Sequence, residues 1–198
     1  MLEPDWNQER PGLADSIAIW KQSVFTSAPI ENHAVEELLT ELRATHVNGG
    51  AAFGRFKFAD IPNLHWFVSR NRFDEIHFIE HLLCSNAFRG TLPQIMSPEA
   101  LGPLKWEWWS TYLLAGDWAR TLMAGGAYER FKRDGREALT ISERARFAIF
   151  EDRFDDVQIF RSWVPWSEWF FDVAWDMTWV GIDKRELTAW VLCLTDTD

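Results

Sequence analysis

The sequence has 198 residues, 47% hydrophobic and 25% charged, which fits one globular domain and disfavours disordered, collagen-like and coiled-coil classes. Its formal net charge of −10 disfavours attraction to nucleic-acid phosphates or anionic lipids and suits a basic protein partner. No apolar run approaches the roughly 18 residues that a membrane-spanning helix needs. We therefore expect a single globular domain over residues 1–198 that binds neither nucleic acid nor membrane.

Helical patterns dominate residues 15 to about 150. The segment 32–46 carries an apolar stripe opposite a charged face, which predicts an amphipathic helix. A second helix is expected from Asp74 to just before Gly90, and the Ser97-Pro98-Glu99 start signal predicts a short lead-in to a third over 104–114. Between the first two helices, residues 48–58 read as a loop that runs into a short strand. Further helices are expected in three short segments, 117–123, 127–132 and 142–150.

The last 42 residues carry the strand signal. Apolar and polar residues alternate over 169–181, which predicts a half-buried strand, and residues 183–186 form a polar turn. Residues 187–194 are apolar on both faces, as in a central strand, and 157–163 adds a third strand. The sequence thus predicts an α+β fold, with N-terminal helices packed on a small antiparallel sheet that includes a C-terminal hairpin.

Two cysteines, Cys84 and Cys193, lie far apart and form no metal-binding CxxC pair. This usage fits a reducing compartment, with a single disulfide between them as the alternative. Residues 1–6 lack the basic and apolar regions of a secretion signal. We therefore expect a cytoplasmic protein.

The most specific chemical motif is HFIEH at residues 77–81, which resembles the H-x-x-E-H active-site helix of the inverzincin metallopeptidases. One helical turn separates His77 from His81, so that both could share a zinc ion, with Glu80 polarising a bound water. Glu151 is the best-placed acid to complete such a site. The alternative is that both histidines flank the core-facing edge of a structural helix.

Acidic and aromatic residues near the end of the chain form a second candidate site. Asp172 and Asp176 fall on one face of the predicted strand, and a shift of one residue in the hairpin register would place Asp196 beside Asp172. Such a cluster could hold a hard cation or meet a basic partner. Trp166 and Trp175 are candidate contacts in the same region, because tryptophan beside acids is typical of protein-binding surfaces. The alternative places the acids on the solvent face of the sheet and the tryptophans in the core.

The tail of the chain, with WFFDVAWD at residues 169–176 and TDTD at 195–198, resembles a group of small bacterial proteins to which no activity is assigned. In general character the chain is also similar to bacterial immunity proteins. Our leading hypothesis is a non-enzymatic cytoplasmic protein-binding domain without a cofactor, with a bacterial immunity protein as its specific form. The alternative is a zinc-dependent hydrolase that uses His77, His81 and Glu151 as ligands.

Overall fold

The computed structural model describes residues 3–198. Its seven α-helices, in chain order, are α1 (Leu13–Ile19), α2 (His33–Thr45), α3 (Pro62–Ser69), α4 (Phe78–Leu83), α5 (Asn86–Thr91), α6 (Leu114–Ala124) and α7 (Gly135–Phe150). Its six strands are β1 (Phe25–Ser27), β2 (Gly50–Phe58), β3 (Glu107–Trp109), β4 (Val157–Ser162), β5 (Met177–Asp183) and β6 (Thr188–Thr195). The chain therefore has a mixed α+β fold, as predicted.

One antiparallel sheet contains all six strands, in the order β1-β2-β6-β5-β4-β3. The C-terminal hairpin is confirmed: β5 pairs with β6 from Met177 opposite Leu194 to Asp183 opposite Thr188. Every residue of β6 is buried, because the strand lies between β2 and β5 and both of its faces are covered. This accounts for its continuous apolar sequence. The short strands β1 and β3 form the two edges of the sheet.

Helices cover both faces of the sheet. On one face, α1, α3, α4 and α5 bury apolar side chains against the sheet residues Phe56, Val180 and Val191. On the other face, α2, α6 and α7 pack against Trp179 and Trp190. Burial of apolar surface in these two layers is the main stabilising contribution to the fold.

Aromatic residues supply both the core and the surface. Trp118, Trp179 and Trp190 are fully buried, whereas Trp108 and Trp163 are exposed. Trp190 packs so closely over Gly181 that a Cβ atom there would lie 2.1 Å from the indole ring, so only glycine fits at that position in β5. Some of the tryptophans therefore fill the core, and others form part of the protein surface.

The first predicted helix is confirmed as α2, and Asn32 caps it by accepting a hydrogen bond from the backbone N–H of Ala34. The second breaks at His77, which adopts a left-handed conformation with φ of 50°, and again at the Ser85 cap of α5. A helix over 104–114 is wrong, since β3 occupies 107–109 and α6 begins only at Leu114. Residues 127–132 are also not helical, and residues 142–150 form the second half of α7.

The strand predicted over 169–181 begins only at Met177, and the residues before it form turns. The Asp176 carboxylate accepts hydrogen bonds from the backbone N–H groups of Val173, at 3.1 Å, and Phe171, at 3.5 Å. Asp172 between them has a positive φ of 58°. Side-chain bonding to nearby backbone competes with strand pairing, so this segment folds back on itself despite its alternating sequence.

Candidate functional site

The HFIEH motif lies along a groove beside α4. His77, Glu80 and His81 line a cavity of about 200 Å³ together with Cys84 and Glu99. The His81 ring stacks on Trp20, with ring centroids 4.0 Å apart, on the face of the sheet covered by α1. Burial lowers the pKa of His81, and the nearby His77 acts in the same direction while Glu80 opposes it.

Glu80 is a buried structural acceptor. Its Oε1 atom accepts hydrogen bonds from the backbone N–H of Leu104, at 2.9 Å, and from the indole N–H of Trp106, at 3.3 Å. The carboxylate that the metallopeptidase interpretation assigned as a base thus holds the segment leading into β3 against α4. Burial also raises the pKa of the neighbouring Cys84 above its ordinary value, so this thiol stays protonated at neutral pH.

The structure does not bring Glu151 to the two histidines. Glu151 follows the last residue of α7, on the opposite face of the sheet, where it forms an ion pair with Arg153 at 3.4 Å. Within residues 3–198, no three His, Cys, Asp or Glu side chains lie close enough together to hold a metal ion. The predicted ligand set of His77, His81 and Glu151 is therefore not assembled, and these residues do not fit a zinc site of the inverzincin type.

Two of the three predicted acidic contacts lie in the protein interior. Asp176 is 1% exposed and accepts a hydrogen bond from the Thr195 hydroxyl in addition to its backbone contacts. Asp196 is fully buried and accepts from the backbone N–H groups of Asn48 and Ala127, each at 2.8 Å. Their prediction as partner contacts is wrong, because both carboxylates are used to close loops at one end of the sheet. Asp172 is exposed, which both the contact role and its alternative expect, so its role as a contact stays a prediction.

Trp166 is also an interior residue, and its prediction as a contact is wrong. Its ring is buried against Phe88, and its indole N–H donates to the Thr178 hydroxyl at 2.9 Å. A buried tryptophan whose N–H has a partner contributes to the core. Trp175 is only partly buried, so its predicted role as a contact residue stays a prediction.

An exposed apolar surface surrounds the edge strand β3. Trp108 is 61% exposed and Tyr112 is 68% exposed. We call the exposed apolar side chains on β3 and on the segments that follow β3 and β4 the edge surface, which comprises Trp108, Tyr112, Leu113, Trp163 and Val164. Exposed tryptophan and tyrosine side chains are typical of protein interaction sites.

The edge surface adjoins unpaired backbone. In the part of the chain that the structure describes, β3 pairs only with β4, and no other backbone hydrogen bond involves residues 107–109. Its outward N–H and C=O groups are free to pair with an added strand. Side chains alternate across a strand, so Trp108 and Trp109 lie on opposite faces and an added strand would meet aromatic rings on both.

Specific contacts hold the rings of the edge surface in place. The indole N–H of Trp108 donates to the Gln158 side chain at 3.0 Å, and the Tyr112 ring stacks on Phe154 with centroids 4.7 Å apart. The Arg161 guanidinium lies over the ring of Trp163, 4.6 Å from its centroid. The surface is therefore ordered before any partner arrives, which lowers the entropic cost of binding.

Sequence reasoning missed β3 because it extended a helix across residues 104–114. The signal was the pair Trp108-Trp109, since aromatic residues favour strands, followed by the turn-forming Ser110. Exposure of Trp108 follows from its position on an edge strand, which only the pairing with β4 reveals.

Comparisons with known proteins find no match to this chain among family models, curated proteins or solved structures. In residues 3–198, no helix has both the length and the apolar character needed to cross a bilayer.

Proposed function

We propose that this protein binds another polypeptide through the edge surface, with β3 pairing to an extended segment of its partner. The observation that carries the proposal is the combination of an unpaired edge strand with exposed aromatic side chains around it. Main-chain pairing supplies affinity in this binding mode, and pockets for alternate side chains supply specificity. Trp108, Tyr112 and Trp163 are the anchors, because tryptophan and tyrosine dominate binding energy at protein interfaces.

Charge supports a basic partner. The chain carries a net charge of −10, the β3 residue Glu107 has a half-exposed side chain, and Asp172 is exposed in the loop between β4 and β5. Complementary charge accelerates association and excludes wrong partners. An acidic protein that blocks a basic toxin, in the manner of an immunity protein, is the specific form of this proposal. The two free cysteines are consistent with a cytoplasmic setting.

Site-specific photo-crosslinking in cells of the source organism tests the surface. A photoreactive phenylalanine derivative replaces Trp108 in one variant and Phe147, an exposed aromatic residue on α7, in a control. We expect a discrete crosslinked protein from position 108 that is absent from position 147. Identical products from both positions, or none from position 108, would contradict the proposal.

The affinity of each variant for the identified protein then measures the contribution of the anchor residues to binding. Trp108→Ala and Trp163→Ala are each expected to weaken binding at least about tenfold, and Phe147→Ala less than about twofold. Because the partner is expected to be basic, affinity should also fall as salt concentration rises. If affinity is independent of salt concentration, the edge surface remains the proposed binding site, but the proposal that the partner is basic is wrong.

A further inference from the structure

A second cavity, of about 380 Å³, is lined by none of the β3 residues. It forms between β2, the C-terminal end of α7 and the turn that joins β5 to β6. Three arginines line it, Arg55, Arg153 and Arg185, together with the acids Glu151 and Glu186. This is a notable concentration of cations in a chain whose net charge is −10.

Arg55 on β2 is the unusual member of this group. The residue is partly exposed, its Nε atom is buried without a hydrogen-bond partner, and among residues 3–198 its guanidinium forms no hydrogen bond or ion pair. Arginine carries five N–H donors that are always charged, and a buried donor without an acceptor is costly. The partly exposed remainder of the guanidinium lines the cavity, where it can receive an acceptor that the chain itself does not supply.

The other two arginines differ in how firmly they are held. Arg153 donates from Nε to the buried Asp183 carboxylate at 2.9 Å and lies 3.4 Å from Glu151. Burial lowers the pKa of Arg153, but the hydrogen bond to Asp183 and the negative charges of Asp183, Glu151 and Glu186 together outweigh this effect, and the pKa is raised. Arg185 is more than half exposed and approaches Asp156 only to 3.9 Å, so it can turn toward a ligand.

We propose that this cavity binds a small molecule that carries a phosphate or carboxylate group. Arg55 donates two parallel hydrogen bonds to the oxygen atoms of that group. A guanidinium matches the geometry of both groups. Arg185 adds a second cation from the rim, and Arg153, fixed by Asp183, forms a rigid wall. The cavity volume suits a small ligand. A polyanion is disfavoured, because the negative charge of the whole chain repels it and Glu151 and Glu186 line the same cavity.

The test is titration of the full chain with inorganic phosphate and, separately, with acetate, at constant ionic strength set by chloride. Binding is followed through the Arg55 Nε–H resonance and through the thermal midpoint of unfolding. We expect saturable binding of at least one of the two anions. Saturation by phosphate alone identifies a phosphate ligand, and saturation by acetate alone identifies a carboxylate ligand.

Two arginine variants separate the site from general charge effects. Arg55→Gln is expected to weaken anion binding about tenfold or more, because it removes a charge-assisted pair of hydrogen bonds. Arg136→Gln removes the same charge from an exposed position on α7 and should change binding less than about twofold. Arg55→Lys keeps the charge but loses the forked geometry of the guanidinium. Its affinity for the anion should lie between those of Arg55→Gln and Arg136→Gln.

Three results would overturn the proposal: no saturation by either anion, equal loss in Arg55→Gln and Arg136→Gln, or full binding in Arg55→Gln. A circular dichroism spectrum and unfolding midpoint for each variant show that the fold is intact. Because this cavity and the edge surface share no residues, either proposal can fail without affecting the other.

Discussion

Asp117 and Arg161 form a buried ion pair, with Asp117 Oδ2 and Arg161 Nη1 3.1 Å apart and side chains only 3% and 10% exposed. The pair joins α6 to β4, directly behind the edge strand. The same Asp117 oxygen accepts from the Trp179 indole at 2.9 Å, and Arg161 also reaches Glu107 on β3 at 2.9 Å. Asp117 in the helical layer thus holds Arg161, the residue that lies over the Trp163 ring of the edge surface.

Removing that acid should be costly. We expect Asp117→Ala to lower the free energy of unfolding by about 3–5 kcal/mol, since it leaves buried Arg161 with only the half-exposed Glu107 as a partner and the Trp179 indole N–H without its acceptor. The control is Glu37→Ala, which breaks the more exposed pair with Arg144 and should cost about 1 kcal/mol or less. Urea unfolding measures both values. Equal losses would show that the Asp117 pair behaves as a surface pair.

The buried Asp196 joins two loops, and its truncation should also destabilise the fold. In Asp196→Ala, the backbone N–H groups of Asn48 and Ala127 lose their acceptor, which should cost about 2–4 kcal/mol. Asp198→Ala, at an exposed position two residues later, should change stability by less than about 0.5 kcal/mol. If the two variants unfold at the same urea concentration, the loop-closing role of Asp196 is wrong.

Stability should decrease as the pH falls below the ordinary histidine pKa of 6.5. Burial lowers the pKa of His46, although its bond to the Leu42 carbonyl and the charge of Asp196 oppose this effect and Arg130 adds to it. The unfolded chain therefore takes up a proton before the folded chain does. The stabilising contribution of neutral His46 is complete above pH 6.5 and is lost as the pH falls toward the lower folded-state pKa.

His46→Asn should flatten this dependence. The measurement is the free energy of unfolding in urea at several pH values between about 7.5 and 5.5. The slope between these values, and not the absolute stability, reports the titration of His46. A variant with an unchanged slope would show that another group controls the pH dependence; the half-buried His81, whose pKa is also lowered, is the first alternative.

The two thiols should react at very different rates. Burial raises the pKa of Cys193 to about 12, and its side chain is inaccessible, whereas Cys84 is partly exposed. A chromogenic disulfide reagent should modify Cys84 slowly in the folded protein and Cys193 only in denaturant. Cys84→Ser should abolish the reaction of the folded protein. Rapid release of two equivalents under native conditions would contradict the burial of Cys193.

The elements predicted correctly were those whose burial is visible in the local sequence. The apolar stripe of α2 indicates one buried face, and the apolar run inside β6 indicates that both faces of the strand are buried. The segment 169–176 was predicted wrongly because its structure is not visible in the local sequence pattern. Its alternation imitates a strand, but the turn depends on hydrogen bonds from Phe171 and Val173 to Asp176, which periodicity does not describe.

The candidate site was less accessible to sequence reasoning. Trp108 and Trp166 have the same chemistry, yet one is exposed beside an unpaired strand and the other lies in the core. What separates them is the pairing of β3 with β4, a contact between segments about fifty residues apart. The same holds for the acidic residues. Asp172 and Asp176 belong to the same turn, but Asp172 is exposed and Asp176 is buried.

The position of β6 has a consequence for synthesis of the chain. Its neighbour β2 ends at Phe58. The ribosome must therefore synthesise residues 59–187 before it makes β6, the strand with which β2 pairs. Until then β2 and β5 both present open edges, and half-formed apolar layers stay accessible to other nascent chains. Sheet closure is therefore a late event dominated by non-local contacts, which predicts slow folding and a need for protection by chaperones during translation.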